Sequence, residues 1–187
     1  MLSAVIEKPK NESFDEDLIL VERHLSGDVL AFELIYRKYY DKVLAISRGV
    51  LIDPDEAADA VQEVFTLVYR HLSRFDRRSK FSTWLFRIAV NRSIQEARKH
   101  RFRNRTVALT EAIGKEAPVE AEEMDPRIQM ALSKLAPQDR ALITLFYWEE
   151  LSLNEIADSI GCNVNAAKTR LYRARERFRV HYEEAGS

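Results

Sequence analysis

The stretch from Leu151 to Arg179, LSLNEIADSIGCNVNAAKTRLYRARERFR, admits few folds. Ser152 with Glu155 three residues on forms a capping box. The serine oxygen takes an orphan backbone N–H, and the glutamate reaches back to the cap. Ile156 and Ile160 give the following helix an apolar edge, and Gly161 ends it in the left-handed conformation that suits glycine. Asn163 can cap a second helix. In that helix Ala167, Leu171, Ala174 and Phe178 recur at four-three-four spacing, which makes one buried stripe. Its other side carries Asn165, Lys168, Thr169, Tyr172 and Arg173, with Arg170, Arg175, Arg177 and Arg179 around them. Two short helices, a small-residue turn and a basic outer face are the helix-turn-helix arrangement.

A solvated amphipathic hairpin would carry both signs of charge. Residues 163–179 hold six Lys/Arg against one Glu, and so one-sided a bias favours a polyanion such as DNA.

With 187 residues the chain can form one compact domain or two small ones. Five glycines and five prolines leave too few turn signals for many short strands, so the expected fold class is all-α. A single cysteine, Cys162, excludes a disulfide framework and any multi-cysteine zinc site; the four histidines show no metal-ligand spacing. No metal, cofactor or catalytic residue is expected. The N-terminus lacks an apolar signal core and no run approaches eighteen apolar residues, so the expected location is cytoplasmic. Net charge is −1, with the charges segregated along the chain.

Residues 1–13 are polar and unpatterned, read as a flexible leader. A short helix from Phe14 to Ser26 stops at Gly27, and Asp28 caps a longer one. Asp53-Pro54 opens a third helix, running to about Leu72. On it Val61, Phe65, Val68 and Leu72 form the apolar stripe, while Asp59, Gln62, Glu63 and Thr66 form a polar one that plain solvation would also explain. A basic loop, Phe75 to Lys80, precedes a fourth helix from Phe81. Its first half, FSTWLFRIAV, is apolar nearly all round and should be buried. Its second half, Asn91 to Arg105, carries Arg92, Arg98, Lys99, Arg101, Arg103 and Arg105 against only Glu96.

Aromatic faces beside cations hold single-stranded bases, at about 1–3 kcal/mol per stacked base. Trp84 and Phe86 read better as core, whereas Phe75, in the loop, fits either role. From Glu111 to Asp125 there are six acidic residues and one lysine, with Gly114 and Pro118, which reads as a tether. Asp125-Pro126 starts a new helix, Pro137 another, and the helix-turn-helix follows. The expected architecture is therefore two small helical domains, 14–105 and 124–182, joined by an acidic linker at 106–123, with a tail at 183–187.

On these features the sequence resembles the sigma-70 family of bacterial transcription initiation factors, in particular its compact extracytoplasmic-function (ECF) group. DAVQEVFTLVYRHLSRFD at 59–76 resembles region 2.2 running into 2.3, and FSTWLFRIAVNRSIQEARK at 81–99 resembles regions 2.3–2.4. The stretch 135–179 resembles region 4. The resemblance implies roles. Asp59, Gln62 and Glu63 would dock on the clamp helices of the polymerase β′ subunit, and region 4 on the β flap. Asn91 would contact an unstacked base of the −10 element, with Phe75 helping to form its pocket. Arg92, Arg98 and Lys99 would hold phosphates of the opening duplex. Asn165, Lys168, Thr169, Tyr172 and Arg173 would read or clamp the −35 element in the major groove.

The implied partners are core RNA polymerase, promoter DNA and an anti-sigma factor, which could hold the protein at the inner membrane face. No small-molecule substrate is implied. The acidic linker would lie along the RNA exit path and compete for the basic helices in the free protein. Asn163 and Asn165 depart from the proline and glycine common at this helix start, so no promoter consensus carries over. The competing reading is a polymerase-independent, dimeric helix-turn-helix regulator, which predicts palindromic half-sites. An enzyme has little support, for the chain has no phosphate loop, metal cluster or nucleophile elbow.

Overall fold

A computed structural model describes residues 12–107 and 125–186, with side chains described over 16–100 and 125–186. All of its regular elements are helical. The expected leader, apart from Glu12 and Ser13, and the acidic tether from residue 108 to 124 lie outside the described residues. So does the inferred path of the linker.

The first half contains α1 (Glu12–Leu25), α2 (Val29–Leu51), α3 (Pro54–His71), a 3₁₀ turn at Leu72–Arg74, and α4 (Phe81–Val107). Their ends are set by the residues that the sequence nominates. Asp28 accepts the Leu30 N–H at 3.0 Å and is gripped by the Arg23 guanidinium at 2.7 Å. Asp53 accepts the N–H groups of Asp55 and Glu56, with Pro54 in the first turn, where its missing N–H costs nothing. The apolar stripes then face one another. Ile35, Tyr39, Val43, Ile46 and Val50 of α2 meet Val61, Val64, Phe65 and Val68 of α3, and Phe81, Leu85, Phe86, Ala89 and Val90 of α4. Helix α1 closes this bundle through Leu20, Val21 and the buried carboxylate of Asp17, which accepts the Tyr39 hydroxyl at 2.5 Å and pairs with Lys38 at 2.8 Å. Burial, reinforced by Asp17, pushes the Tyr39 phenol well above its ordinary pKa and keeps it a donor.

The second half contains α5 (Pro126–Lys134), α6 (Pro137–Tyr147), α7 (Leu153–Ile160) and α8 (Val164–Ala185). Helix α8 is the axis against which α5, α6 and α7 all pack. Asp125 accepts the Arg127 N–H as the cap of α5, binds the Arg127 guanidinium at 2.7 Å, and accepts the Tyr182 hydroxyl at 3.1 Å. This ties the start of the half to its end.

The sequence reading places these halves on a tether; in the structure their faces also meet. Helix α2 packs on α6, and α4 packs on both α6 and α7. Buried apolar residues from both halves form one continuous cluster, with Leu51, Ala57 and Ala60 in a small separate one. The Arg140 side chain of α6, 7% exposed, donates from Nε to the Val50 carbonyl at 2.7 Å and from Nη1 to the Leu135 carbonyl at 2.9 Å. Gly49 permits the approach of α2 and α6: a Cβ there would lie 2.6 Å from Thr144 Cγ2 and 2.9 Å from Thr144 Cβ.

Candidate nucleic-acid interface

The helix-turn-helix is built by the capping chemistry read from its sequence. Glu155 N–H donates to Ser152 Oγ at 3.3 Å, and Ser152 N–H donates to Glu155 Oε2 at 3.1 Å, completing the box. Gly161 has φ +68°, the left-handed stop. Asn163 Oδ1 accepts the Ala166 N–H at 2.8 Å and starts α8. Ala167, Leu171 and Ala174 are buried, with Phe178 half-buried at the end of the same stripe. That anchoring leaves Asn165, Lys168, Thr169, Tyr172 and Arg173 exposed together on the opposite face, Tyr172 at 64%. The Thr169 hydroxyl donates back to the Asn165 carbonyl at 2.9 Å. Lys168, Arg170, Arg173 and Arg175 make no ion pair among the described residues, Arg175 lying 5.9 Å from the Tyr147 ring centre, whereas Arg177 binds Asp139 at 2.5 Å and Arg179 binds Glu176 at 3.1 Å. The cations without an ion pair thus lie between Lys168 and Arg175, in the first half of α8.

On α4 the transition from buried to polar falls at Asn91, which is exposed just beyond Ala89 and Val90. The neighbouring cations differ in state. Arg98 is exposed. Lys99 binds Glu96 at 3.1 Å. Arg92 is largely covered, paired with Glu63 of α3 and with Glu96 at 3.0 Å. A residue expected on the docking stripe and one expected on DNA are therefore partners in this conformation, which spacing within either helix cannot reveal. Phe75 is 7% exposed, its ring 5.6 Å from that of Phe81 and 5.5 Å from that of Trp84. Of its two open roles, this conformation places it in the core, beneath the half-buried Trp84. Two of the loop cations are turned aside, Arg77 pairing with Glu22 at 2.9 Å and Lys80 reaching across to Glu155 at 2.6 Å, whereas Arg78 stays exposed beside Asp76 at 3.3 Å. Burial pushes the Glu155 carboxyl up, but the Lys80 ammonium and the Ser152 donors outweigh it, and its pKa lies below the ordinary value.

Asp59, Gln62 and Glu63 are exposed along one side of α3. Sequence reasoning missed what lies beside them. Gln62 and Thr66 form one wall of a shallow cleft of about 370 Å³ completed by Phe32, Tyr36, Phe65, Tyr69 and Arg70. Tyr36 packs on Phe65 at 4.6 Å, and Tyr69 meets Phe32 edge-on at 5.0 Å, with Tyr69 52% exposed. Aromatic groups with exposed edges are enriched where proteins dock. The available signal was the i, i+4 placement of Phe32 and Tyr36 opposite Tyr69, which needs the α2/α3 pairing to be read.

Among the described residues no three His, Cys, Asp or Glu side chains come together to hold a metal ion. No helix there is long and apolar enough to cross a membrane. Cys162 is half-buried at the turn, its thiol donating to the Asn163 carbonyl at 3.3 Å.

Comparison with known proteins matches residues 35–103 to Sigma-70 region 2 and residues 126–178 to Sigma-70, region 4. The chain is 35% identical over 167 residues to the ECF RNA polymerase sigma factor SigW of Bacillus subtilis (strain 168), covering 82% of this chain and 89% of that protein. It is 35% identical over 175 residues to the ECF RNA polymerase sigma-E factor of Escherichia coli (strain K12), covering 86% and 91%. Its fold is similar to that of CnrH in complex with the cytosolic domain of CnrY, with TM-score 0.67 and 25% identity over 91% of this chain and 99% of that one.

Proposed function

The chain belongs to the extracytoplasmic-function sigma factors of the sigma-70 family, and on that premise we propose how its surfaces share the work of promoter-specific initiation. It is an RNA polymerase-associated transcription initiation factor. The observation that carries the reading is the order of the two matched regions, each with its own exposed polar face. A free-standing dimeric regulator would leave the match at 35–103 without a role.

In this reading Asp59, Gln62 and Glu63 dock on the β′ clamp helices, and the aromatic cleft beside them adds buried apolar area to a charged rim. Region 4 meets the β flap. Asn91 takes an unstacked base of the −10 element, with Phe75 and Trp84 backing the pocket and Arg92, Arg98 and Lys99 holding phosphates. Asn165, Lys168, Thr169, Tyr172 and Arg173 enter the major groove at the −35 element. A good base contact there discriminates by about 1–3 kcal/mol, and each phosphate neutralised adds about 0.9 to the salt slope. Two modest contacts on one scaffold reinforce each other through effective concentration. Strand opening is trapping of flipped bases, which asks for no bond-making by the protein. The site of action is the cytoplasm, and an anti-sigma factor is the expected restraint.

The test is transcription of fragmented genomic DNA by bacterial core polymerase, with RNA 5′ ends mapped with and without the protein. Discrete new starts sharing two upstream elements at fixed spacing are expected. Glu63→Gln should reduce co-elution with core polymerase, and Tyr172→Ala should reduce use of the upstream element while leaving co-elution intact. Unchanged polymerase binding by Glu63→Gln would remove the docking assignment. Loss of thermal stability alone in Tyr172→Ala would return that ring to a packing role.

A further inference from the structure

Helix α1 precedes the residues matched to Sigma-70 region 2, which begin at residue 35, and none of its side chains has yet been given a part in DNA recognition. It is nonetheless tied to the loop that joins the 3₁₀ turn to α4. Its Asp17 accepts the Tyr39 hydroxyl at 2.5 Å, and the Tyr39 ring meets Phe81, the first residue of α4, edge-on at 5.7 Å. Its Glu22 pairs with the Arg77 guanidinium, inside the loop, at 2.9 Å. The 3₁₀ turn leading into the loop packs on α1 as well.

The loop is anchored at both ends and exposed between them. Phe75 and Phe81 are buried, whereas Asp76, Arg77, Arg78 and Lys80 are exposed. Asp76 accepts the Arg78 N–H at 3.1 Å, a local turn that bends the chain without fastening it to the fold. Asp76 and Arg78 pair with each other, and Lys80 reaches Glu155 in the second half, so Arg77 is the loop charge fastened to the first half. Arg77 also has φ +61°, a conformation that disfavours any residue with a β-carbon. The middle of the loop thus adopts an unfavourable backbone conformation, with an ion pair to α1 to hold it there. Both partners are about half exposed, so the pair adds little to the stability of the whole fold. Its leverage is local, because an exposed pair shifts the population of the segment it holds by about two- to fivefold.

That segment borders the surface on which the sigma-factor reading seats an unstacked −10 base. It directly follows Phe75, whose ring lies 5.5 Å from that of Trp84. Trp84 and Asn91 are seven residues apart on α4, so they share a side of the helix about 10 Å apart along its axis. We propose that Glu22 is a positioning residue for −10 recognition: by pairing with Arg77 it holds the loop between Phe75 and Phe81 against α1 and so fixes the loop's edge of the base pocket. The proposal rests on the sigma-factor reading.

The test exchanges the two charges. Core polymerase is reconstituted with the full-length wild type, with Glu22→Arg, with Arg77→Glu, and with the double variant, all at one salt concentration. Each holoenzyme selects from a pool of fork-junction duplexes with a randomised nontemplate −10 segment and a constant upstream duplex, and the bound DNA is sequenced. The wild type should enrich particular bases within the randomised segment. Each single variant should keep its helix content, thermal midpoint and co-elution with core polymerase, while preference at one or two of those positions falls by about two- to fivefold. The double variant, which restores the pair with its charges reversed, should recover the preference. Three results would overturn the positioning role. Unchanged preference in both single variants would show that the pair does not act on the pocket. A loss that the double variant does not recover would make Arg77 a DNA contact in its own right. A loss in step with a lowered thermal midpoint would make the pair an ordinary stabilising contact. If the wild type itself fails to co-elute with core polymerase, the sigma-factor reading falls and takes the positioning role with it, whereas the positioning role can fail alone with wild-type enrichment intact.

Discussion

Asp125 shows how much one side chain can hold together. It caps α5, receives the Arg127 guanidinium and accepts the Tyr182 hydroxyl. Hydrogen bonding to Arg127, aided by its backbone N–H, holds the carboxyl down to about 2, from an ordinary value of 3.8. A lowered carboxylate contributes its stability above the unfolded value, and that stability is lost as pH falls through the folded one. The α5–α8 tie should therefore persist at neutral pH and loosen between about pH 4 and pH 2. Carbon-detected NMR of Asp125 checks the titration, and Asp125→Asn should remove that part of the acid response from Tyr182. The sequence announces Asp125-Pro126 as a cap, since capping is a local rule. It does not announce Tyr182, 57 residues away. Phe75 shows the same limit: a loop aromatic beside cations fits a base pocket or a core equally well, and only its contact with Phe81 and Trp84 settles its place in this conformation.

Among the elements, the helix-turn-helix is the most completely legible, because every feature that shapes it lies within a few residues. The capping box, the left-handed glycine and the Asn163 cap are all formed as their spacing requires. Gly161→Ala should cost about 1–2 kcal/mol, the strain of a β-carbon at positive φ. Gly161→Asn should cost less, because asparagine tolerates that region. Denaturant unfolding followed at Trp148 measures both. Equal losses in the two would mean that contact with Arg87, rather than backbone strain, governs the position. Helix α4 is legible in two parts: its apolar half fills the core and its polar half begins at Asn91, as the change of composition implies. Which of its cations are free is not legible, because Glu63, which pairs with Arg92, comes from α3.

At the scale of the whole molecule, the two tryptophans give an independent reading of the shared core. Trp84 lies in the first half and Trp148 in the second. If the halves unfold as one body, single-tryptophan chains made with Trp148→Phe and Trp84→Phe should report coincident denaturant midpoints. In a Gly49→Gln background the midpoints should part. Midpoints already separate in the wild-type background would mean that each half carries its own stability and that the packing of α2 on α6 adds little cooperativity.

The sequence by itself determined the eight α-helices of the described residues, most of their caps and the outward basic face of α8. Each of these follows from hydrophobic period, backbone conformation or side-chain capping, which act over a few residues. Only the tertiary structure decided that α2 meets α6 at Gly49, that Arg140 crosses between the halves, that Arg92 belongs to Glu63, and that an aromatic cleft borders the docking stripe. Those outcomes depend on which faces find each other across long separations in the chain. Periodicity marks a face as apolar without naming its partner.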